Sequence, residues 1–203
     1  MVDLGAGTGK LTRVLAALRH DVIAVEPLEE MLDQLRENVP GVEALSGSAE
    51  EIPLPDESAD VVVAAQAFHW FDEAVALPEI ARVLRPGGVI GLIWNARDDD
   101  DPWVARLSEL TGDTADWDEM GVVKSLEASP HFTEVEWRVF RNAQRVDRAT
   151  LVDLVASRSY AATLPPPERE RLLAAVGNLF DETAVGSELE LPYRVLAFRA
   201  ARL

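Results

Sequence analysis

The chain has no cysteine, which removes disulfides, thiolate nucleophiles and cysteine-based metal sites together. It is also short of positive charge. Nineteen lysines and arginines stand against 36 aspartates and glutamates, for a net charge of −17, and no Lys/Arg cluster interrupts the excess. A protein that grips DNA or RNA needs a basic face to displace counterions from phosphates. Nucleic acid is therefore not an expected partner, and anionic membranes are disfavoured on the same ground. Long apolar runs are missing too: the longest, around Val61–Ala65 and Val89–Trp94, fall far short of the roughly 20 residues of a membrane span. No basic segment followed by an apolar core and cleavage site opens the chain, so no secretory signal is visible. A cytoplasmic protein is the expectation.

What is present is a core-forming composition, with 48% hydrophobic residues in a length of 203 that suits one domain. Strands are expected near 2–5, 22–26, 42–46, 60–65 and 88–94, alternating with helices near 9–19, 28–38, 73–84 and 101–111. That alternation predicts an α/β fold with a parallel sheet and helices on both faces. Val61–Ala65 and Val89–Ile93 are apolar throughout, as central parallel strands are. Pro86-Gly87-Gly88 stops the helix ahead of the fifth strand. The second half changes character, with helices expected near 116–128, 147–158 and 167–182 and strands near 133–141 and 188–201.

The most informative stretch is Val2-Asp3-Leu4-Gly5-Ala6-Gly7-Thr8-Gly9-Lys10, followed by Leu11, Val14, Leu15 and Leu18 at helical spacing. It reads as strand, glycine turn and amphipathic helix. Glycines let a ligand lie against bare backbone, and the helix start behind them offers unpaired N–H groups. The spacing G-x-G-x-G differs from the dinucleotide fingerprint and from the phosphate-binding P-loop, which would need glycine at Leu4 and Ser or Thr at Leu11. A second strand, Asp21–Glu26, ends in an acid nineteen residues beyond Gly7. An acid there can accept hydrogen bonds from both hydroxyls of a ribose.

With Glu26 in place the chain resembles the class I S-adenosylmethionine-dependent methyltransferases, and more narrowly the type 11 group that includes trans-aconitate methyltransferase-like proteins. VDLGAGTGKLT, AVEPLEEML, SGSAEEIPLPDESADVVVAAQAFHWF and IARVLRPGGVIGLIWN carry the resemblance, which is specific over roughly residues 1–95. It implies a Rossmann-like, doubly wound seven-stranded sheet, mostly parallel, with an antiparallel C-terminal edge hairpin. Residues 1–203 would form one domain, with a helical insertion at about 142–186 between the last two strands. Family members carry some tens of residues before the first motif, whereas Met1 here stands inside the first strand. A chain shortened at its N-terminus is the expectation.

The resemblance also assigns residues. Gly5, Ala6, Gly7 and Gly9 would admit the methionine part of S-adenosylmethionine to the backbone. Asp3 would help receive its ammonium group, or merely cap the loop. Glu26, followed by Pro27, would hold the ribose. Ser48 stands where the family usually has an acid for the adenine amino group, so that contact weakens or moves to Glu50, while the Ala49 N–H can still meet the ring. Gln66 would face the methionine end.

Phe68-His69-Trp70-Phe71 has two readings. It is either aromatic packing of a loop or a wall of the acceptor pocket, with Trp70 as lining and His69 as general base. Trp94, Asn95, Arg97, Trp103, Arg158 and Tyr160 would complete that pocket. A hydroxyl acceptor has a proton to lose and would use His69. A carboxylate acceptor would instead want Arg97 or Arg158. Asp98–Asp101 lacks the spaced ligands of a calcium loop and reads as a turn before a helix; His20 and His131 are isolated and suggest no metal. The expected activity is methyl transfer to a small-molecule acceptor. The alternatives are an NAD(P)-dependent Rossmann oxidoreductase and a non-catalytic cofactor-binding or scaffold protein.

Overall fold

Seven strands and eight α-helices alternate along the chain in a computed structural model that describes residues 1–112 and 119–203. The elements are β1 (Val2–Leu4), α1 (Lys10–Ala17), β2 (Ile23–Glu26), α2 (Glu29–Asn38), β3 (Glu43–Ser46), β4 (Ala59–Ala65), α3 (Glu73–Val83), β5 (Leu84–Arg97), α4 (Pro102–Thr111), α5 (Glu119–Ala128), β6 (Glu136–Val146), α6 (Arg148–Ala156), α7 (Ser159–Ala162), α8 (Pro166–Thr183) and β7 (Leu189–Ala201). A 3-10 turn, Phe68–Trp70, precedes α3. The helix expected near 116–128 is α5; its residues 116–118 lie outside the described residues.

The strands form one sheet in the order β3-β2-β1-β4-β5-β7-β6, parallel through β5 and antiparallel at the β7–β6 edge. This is the doubly wound topology expected. The chain winds outward from β1 to β3, then returns to the other side of β1 to lay down β4 and β5. Sheets of this kind bind ligands outside the carboxyl ends of their strands, where the winding reverses. Here that point lies between β1 and β4.

Register aligns those carboxyl ends. Leu4 pairs with Val25, Glu26 with Ser46, and Ala65 with Ile93, so the turns that follow β1, β2, β3 and β4 all leave from one edge. Val2, Leu4, Ala24, Val25, Val62, Ala64, Ile90 and Leu92 are buried because parallel central strands are covered on both faces.

Two strand positions differ from expectation. β6 runs Glu136–Val146, not near 133–141. β5 starts at Leu84, not near residue 88, because Pro86-Gly87-Gly88 is a bulge within the strand and not a break before it. Pairing jumps from Ala59↔Leu84 to Val61↔Val89, while the Gly87 N–H donates to the Arg202 carbonyl at 3.2 Å and the Arg202 N–H to the Gly88 carbonyl at 2.7 Å. The ladder to β7 thus carries across the irregular residues.

The described residues fall into two compact units. The first takes in Met1–Trp94, α5 through Arg138, and Leu196–Leu203. The second takes in Asn95 to the end of α4, and Val139–Val195. In the second unit α4 and α6 pack on α8 around a core that includes Leu107, Leu151, Val155, Val176 and Phe180.

Candidate functional site

The glycine turn is shaped by β2. The N–H groups of Gly5 and Ala6 both donate to the Val25 carbonyl, at 2.9 and 3.1 Å. Gly5, Gly7 and Gly9 have φ of 68°, 56° and 83°, values in the left-handed region that only glycine adopts freely. Their reasons differ. A Cβ on Gly5 would lie 2.7 Å from Ala67 Cβ, and one on Gly9 would lie 2.9 Å from Leu35 Cγ, so these two admit neighbouring protein. A Cβ on Gly7 would meet nothing within 4 Å. Of the three, only Gly7 has open space where a side chain would stand.

Glu26, at the end of β2, is 5% exposed. Its Oε2 accepts the Gly7 N–H at 2.9 Å and its Oε1 accepts the Leu28 N–H at 3.1 Å. A carboxylate offers about four acceptor sites, so each oxygen keeps a lone pair beyond the backbone donor that fixes it. Pro27 between them is exposed.

Asp3 lies one residue inside β1, 1% exposed, and its Oδ2 accepts the Thr12 hydroxyl at 2.6 Å. It ties β1 to the first turns of α1, where Thr12 is fully buried. Burial pushes the Asp3 carboxyl up to about 6, opposed by the Thr12 hydrogen bonds and reinforced by the Glu26 charge. Sequence reasoning missed Thr12. The signal available was a polar residue among the apolar positions of α1.

The turn after β3 brings Ser48, Ala49 and Glu50 to the same edge. Ala49 is buried. The Ser48 hydroxyl accepts the Glu50 N–H at 3.2 Å, and Glu50 Oε1 accepts the Asp72 N–H at 2.9 Å. Burial raises the Glu50 carboxyl, but the Asp72 and Ser48 hydrogen bonds outweigh it and hold the group below its ordinary value. Glu50 is thus committed on one oxygen to the start of α3.

Gln66 follows β4 with φ of 56° and donates its N–H to the Ile93 carbonyl at 3.0 Å. The aromatic run after it divides. Phe68 is buried, 5.7 Å from Phe71 and 6.2 Å from Trp94 in edge-to-face contacts. His69 and Trp70 point outward; Trp70 is 77% exposed, with its ring 4.9 Å from the imidazole. Partial burial holds the His69 imidazole below its ordinary value of 6.5.

Three of the expected pocket residues are buried. Trp94 is 1% exposed and packs edge-to-face on Phe68 and Phe198, so it is core, because alternation on β5 turns it inward. Arg97 is 7% exposed, and its Nη1 donates to the Thr111 hydroxyl at 3.0 Å; it is held within the second unit. Trp103 is buried in that unit's core. Asn95, Arg158 and Tyr160 also belong to the second unit. Asn95 is exposed, Arg158 is half-buried just past α6, and Tyr160 packs against the core with its hydroxyl buried and lacking a hydrogen-bond partner among the described residues. The acidic run is occupied by local structure: Asp99 accepts the Ser108 hydroxyl at 2.7 Å and Asp101 caps α4 on the Trp103 N–H at 3.2 Å. Among the described residues no group of three or more potential ligands could hold a metal ion.

Gly5→Ala should cost about 2 kcal/mol or more, since φ and contact both oppose it. Gly7→Ala should cost about 1 kcal/mol and impair ligand binding instead. Urea unfolding and ligand titration separate the two. For Asp3 the folded protein binds the proton more tightly than the unfolded chain. Its contribution therefore favours the fold below about pH 4 and is lost as pH rises through about 6, by about 3 kcal/mol in all. Asp3→Asn, which can still accept from Thr12, should be more stable than the parent at pH 7 and equal to it at pH 4.

The chain is similar to known methyltransferases. The sequence profile of the methyltransferase domain matches residues 2–92. An uncharacterized methyltransferase of Mycobacterium tuberculosis is 46% identical, the match covering 98% of this chain and 82% of the relative. A methyltransferase-like protein of Schizosaccharomyces pombe is 36% identical, covering 100% and 82%. Among solved structures, a candidate type II methyltransferase from Anaeromyxobacter dehalogenans superposes with a TM-score of 0.68 at 29% identity, covering 99% of this chain and 87% of that one.

Proposed function

This chain belongs to the class I S-adenosylmethionine-dependent methyltransferases, and we propose that it methylates a small-molecule acceptor bearing a hydroxyl or a carboxylate. The observation that carries the reading is the pairing of Gly7, open and left-handed in the turn after β1, with Glu26 at the carboxyl end of the neighbouring β2. The residues present fit S-adenosylmethionine. Gly7 leaves room against the backbone, and Glu26 retains acceptor sites for the ribose hydroxyls. Asp3 supplies negative charge beneath the turn for an ammonium group, and Ala49 offers an N–H for the base.

The cofactor, when bound, supplies an electrophilic methyl group on a sulfonium. The chain's own task is to align the acceptor, an effect worth roughly 7–11 kcal/mol in well-oriented reactions. His69 is held in its neutral form near neutral pH, as a general base for a hydroxyl must be. Trp70 presents an exposed ring beside it. The net charge of −17 favours a small molecule over nucleic acid. No helix among the described residues is long and apolar enough to cross a membrane.

Calorimetric titration tests the cofactor: S-adenosylmethionine and S-adenosylhomocysteine should bind at micromolar concentration and NAD should not, and Glu26→Ala should weaken binding by about tenfold or more. Binding of NAD alone would restore the oxidoreductase alternative. For the base, a panel of small hydroxyl and carboxylic acids should reveal turnover that falls about 10²-fold in His69→Ala, with affinity for S-adenosylhomocysteine unchanged. Activity of the parent should fall with pH through a value below 6.5 as the imidazole protonates, and the variant should lack that limb. Full turnover in His69→Ala would remove the base and leave a carboxylate acceptor.

A further inference from the structure

We propose that Glu79 and Arg82 on α3 are positioning residues for the cofactor's base: they set the shape of the turn after β3 and, through it, the preference for adenine. The inference rests on the reading of Ala49 as the base contact. Residues 47–58 have no regular secondary structure, so their backbone groups must find partners elsewhere. The Glu79–Arg82 pair provides them. Glu79 Oε1 accepts the Ile52 N–H at 2.9 Å, Arg82 Nη2 donates to the Ile52 carbonyl at 3.1 Å, and Arg82 Nη1 donates to the Leu54 carbonyl at 2.9 Å. Both polar groups of one residue, Ile52, are thereby held by one helix.

The pair also holds itself. Arg82 Nε meets Glu79 Oε2 at 2.8 Å and Nη2 meets Oε1 at 2.7 Å, a two-pronged fork that lysine cannot reproduce. An ion pair three residues apart on a helix is ordinarily a surface feature of little consequence. This one is different in placement: the Glu79 side chain is 17% exposed and the Arg82 side chain 32%. On the other side of Ala49 the turn is closed by Gly47, where a Cβ would lie 2.5 Å from Pro53 Cδ. Pro53 follows Ile52 directly, so the hold on Ile52 also fixes what packs over Gly47. Ser48 and Ala49 lie inside that closed loop. The Ser48 N–H is spent on the Glu51 carbonyl at 3.3 Å, so the Ala49 amide direction, and hence which purine edge it matches, depends on where Ile52 is held.

The test uses the whole chain and two nucleosides, S-adenosylhomocysteine and S-inosylhomocysteine, which differ in the amino or keto group of the base. The parent should prefer the adenine compound by about tenfold or more. Arg82→Lys, Arg82→Ala and Glu79→Gln should each lose that preference, weakening the adenine compound by about tenfold while moving the inosine compound little. Glu79→Gln keeps an oxygen for the Ile52 N–H and so reports on the fork even where Arg82→Ala fails to fold. Ile90→Val, a core truncation on β5, should lower the melting temperature and leave the ratio intact, which separates positioning from general stability. Variants that fold with the parent's ratio, or a parent without base preference, would overturn the proposal. A parent that binds neither nucleoside would instead overturn the cofactor reading beneath it.

Discussion

Glu26 joins the end of one strand to the turn after its neighbour, and the candidate site is built outward from that join. Its two oxygens receive N–H groups from Gly7 and Leu28, charge-assisted bonds that are stronger than neutral ones. The first holds the glycine turn at its middle, at the one of its three glycines with nothing in front of it. The second fixes the entry to α2. The first bond would not form if β2 slipped by a residue against β1, because the register Leu4↔Val25 is what brings Gly7 within reach of the carboxylate. Side-chain period in a strand is two, so a one-residue slip would also turn the buried face outward. The core therefore guards the register, and the register guards the site.

Around this join the remaining cofactor candidates divide by what already holds them. Asp3 is engaged by Thr12 and kept only weakly acidic by burial, so a cation set near it would strengthen its ionised form. Glu50 is tied to Asp72 and stabilises the start of α3. Glu79 and Arg82 hold the backbone of the turn that carries Ala49. The turns after β1, β2 and β3 are thus each fixed by a carboxylate that accepts a backbone N–H or a hydroxyl. An open loop edge held in this way is pre-organised: little ordering remains to be done when a ligand arrives.

The alternation of apolar runs with glycine-rich turns made the order of elements through β5 readable, because parallel strands buried on both faces leave an unambiguous apolar signature. The glycine spacing and Glu26 were readable for a similar reason: both lie at fixed offsets from strand ends. Side-chain direction was not. Trp94 and Asn95 are adjacent at the end of β5, yet one is core and the other exposed, and only the register of β5 between β4 and β7 decides which. Arg97 looked like a free cation in the chain, but in the fold it serves Thr111. Pro86-Gly87-Gly88 looked like a stop because a bulge and a helix end use the same residues. Glu79 and Arg82 were invisible for the opposite reason: spaced three apart on a helix, they match a common solvated pair.

Amide hydrogen exchange of the chain with and without saturating S-adenosylhomocysteine tests the central claim most directly. The account predicts slowed exchange at Ala6–Thr8, at Glu26–Leu28 and at Ser48–Glu50, the three turns that leave the aligned strand ends around Glu26. Binding that leaves those three segments exchanging at their free rates would contradict it.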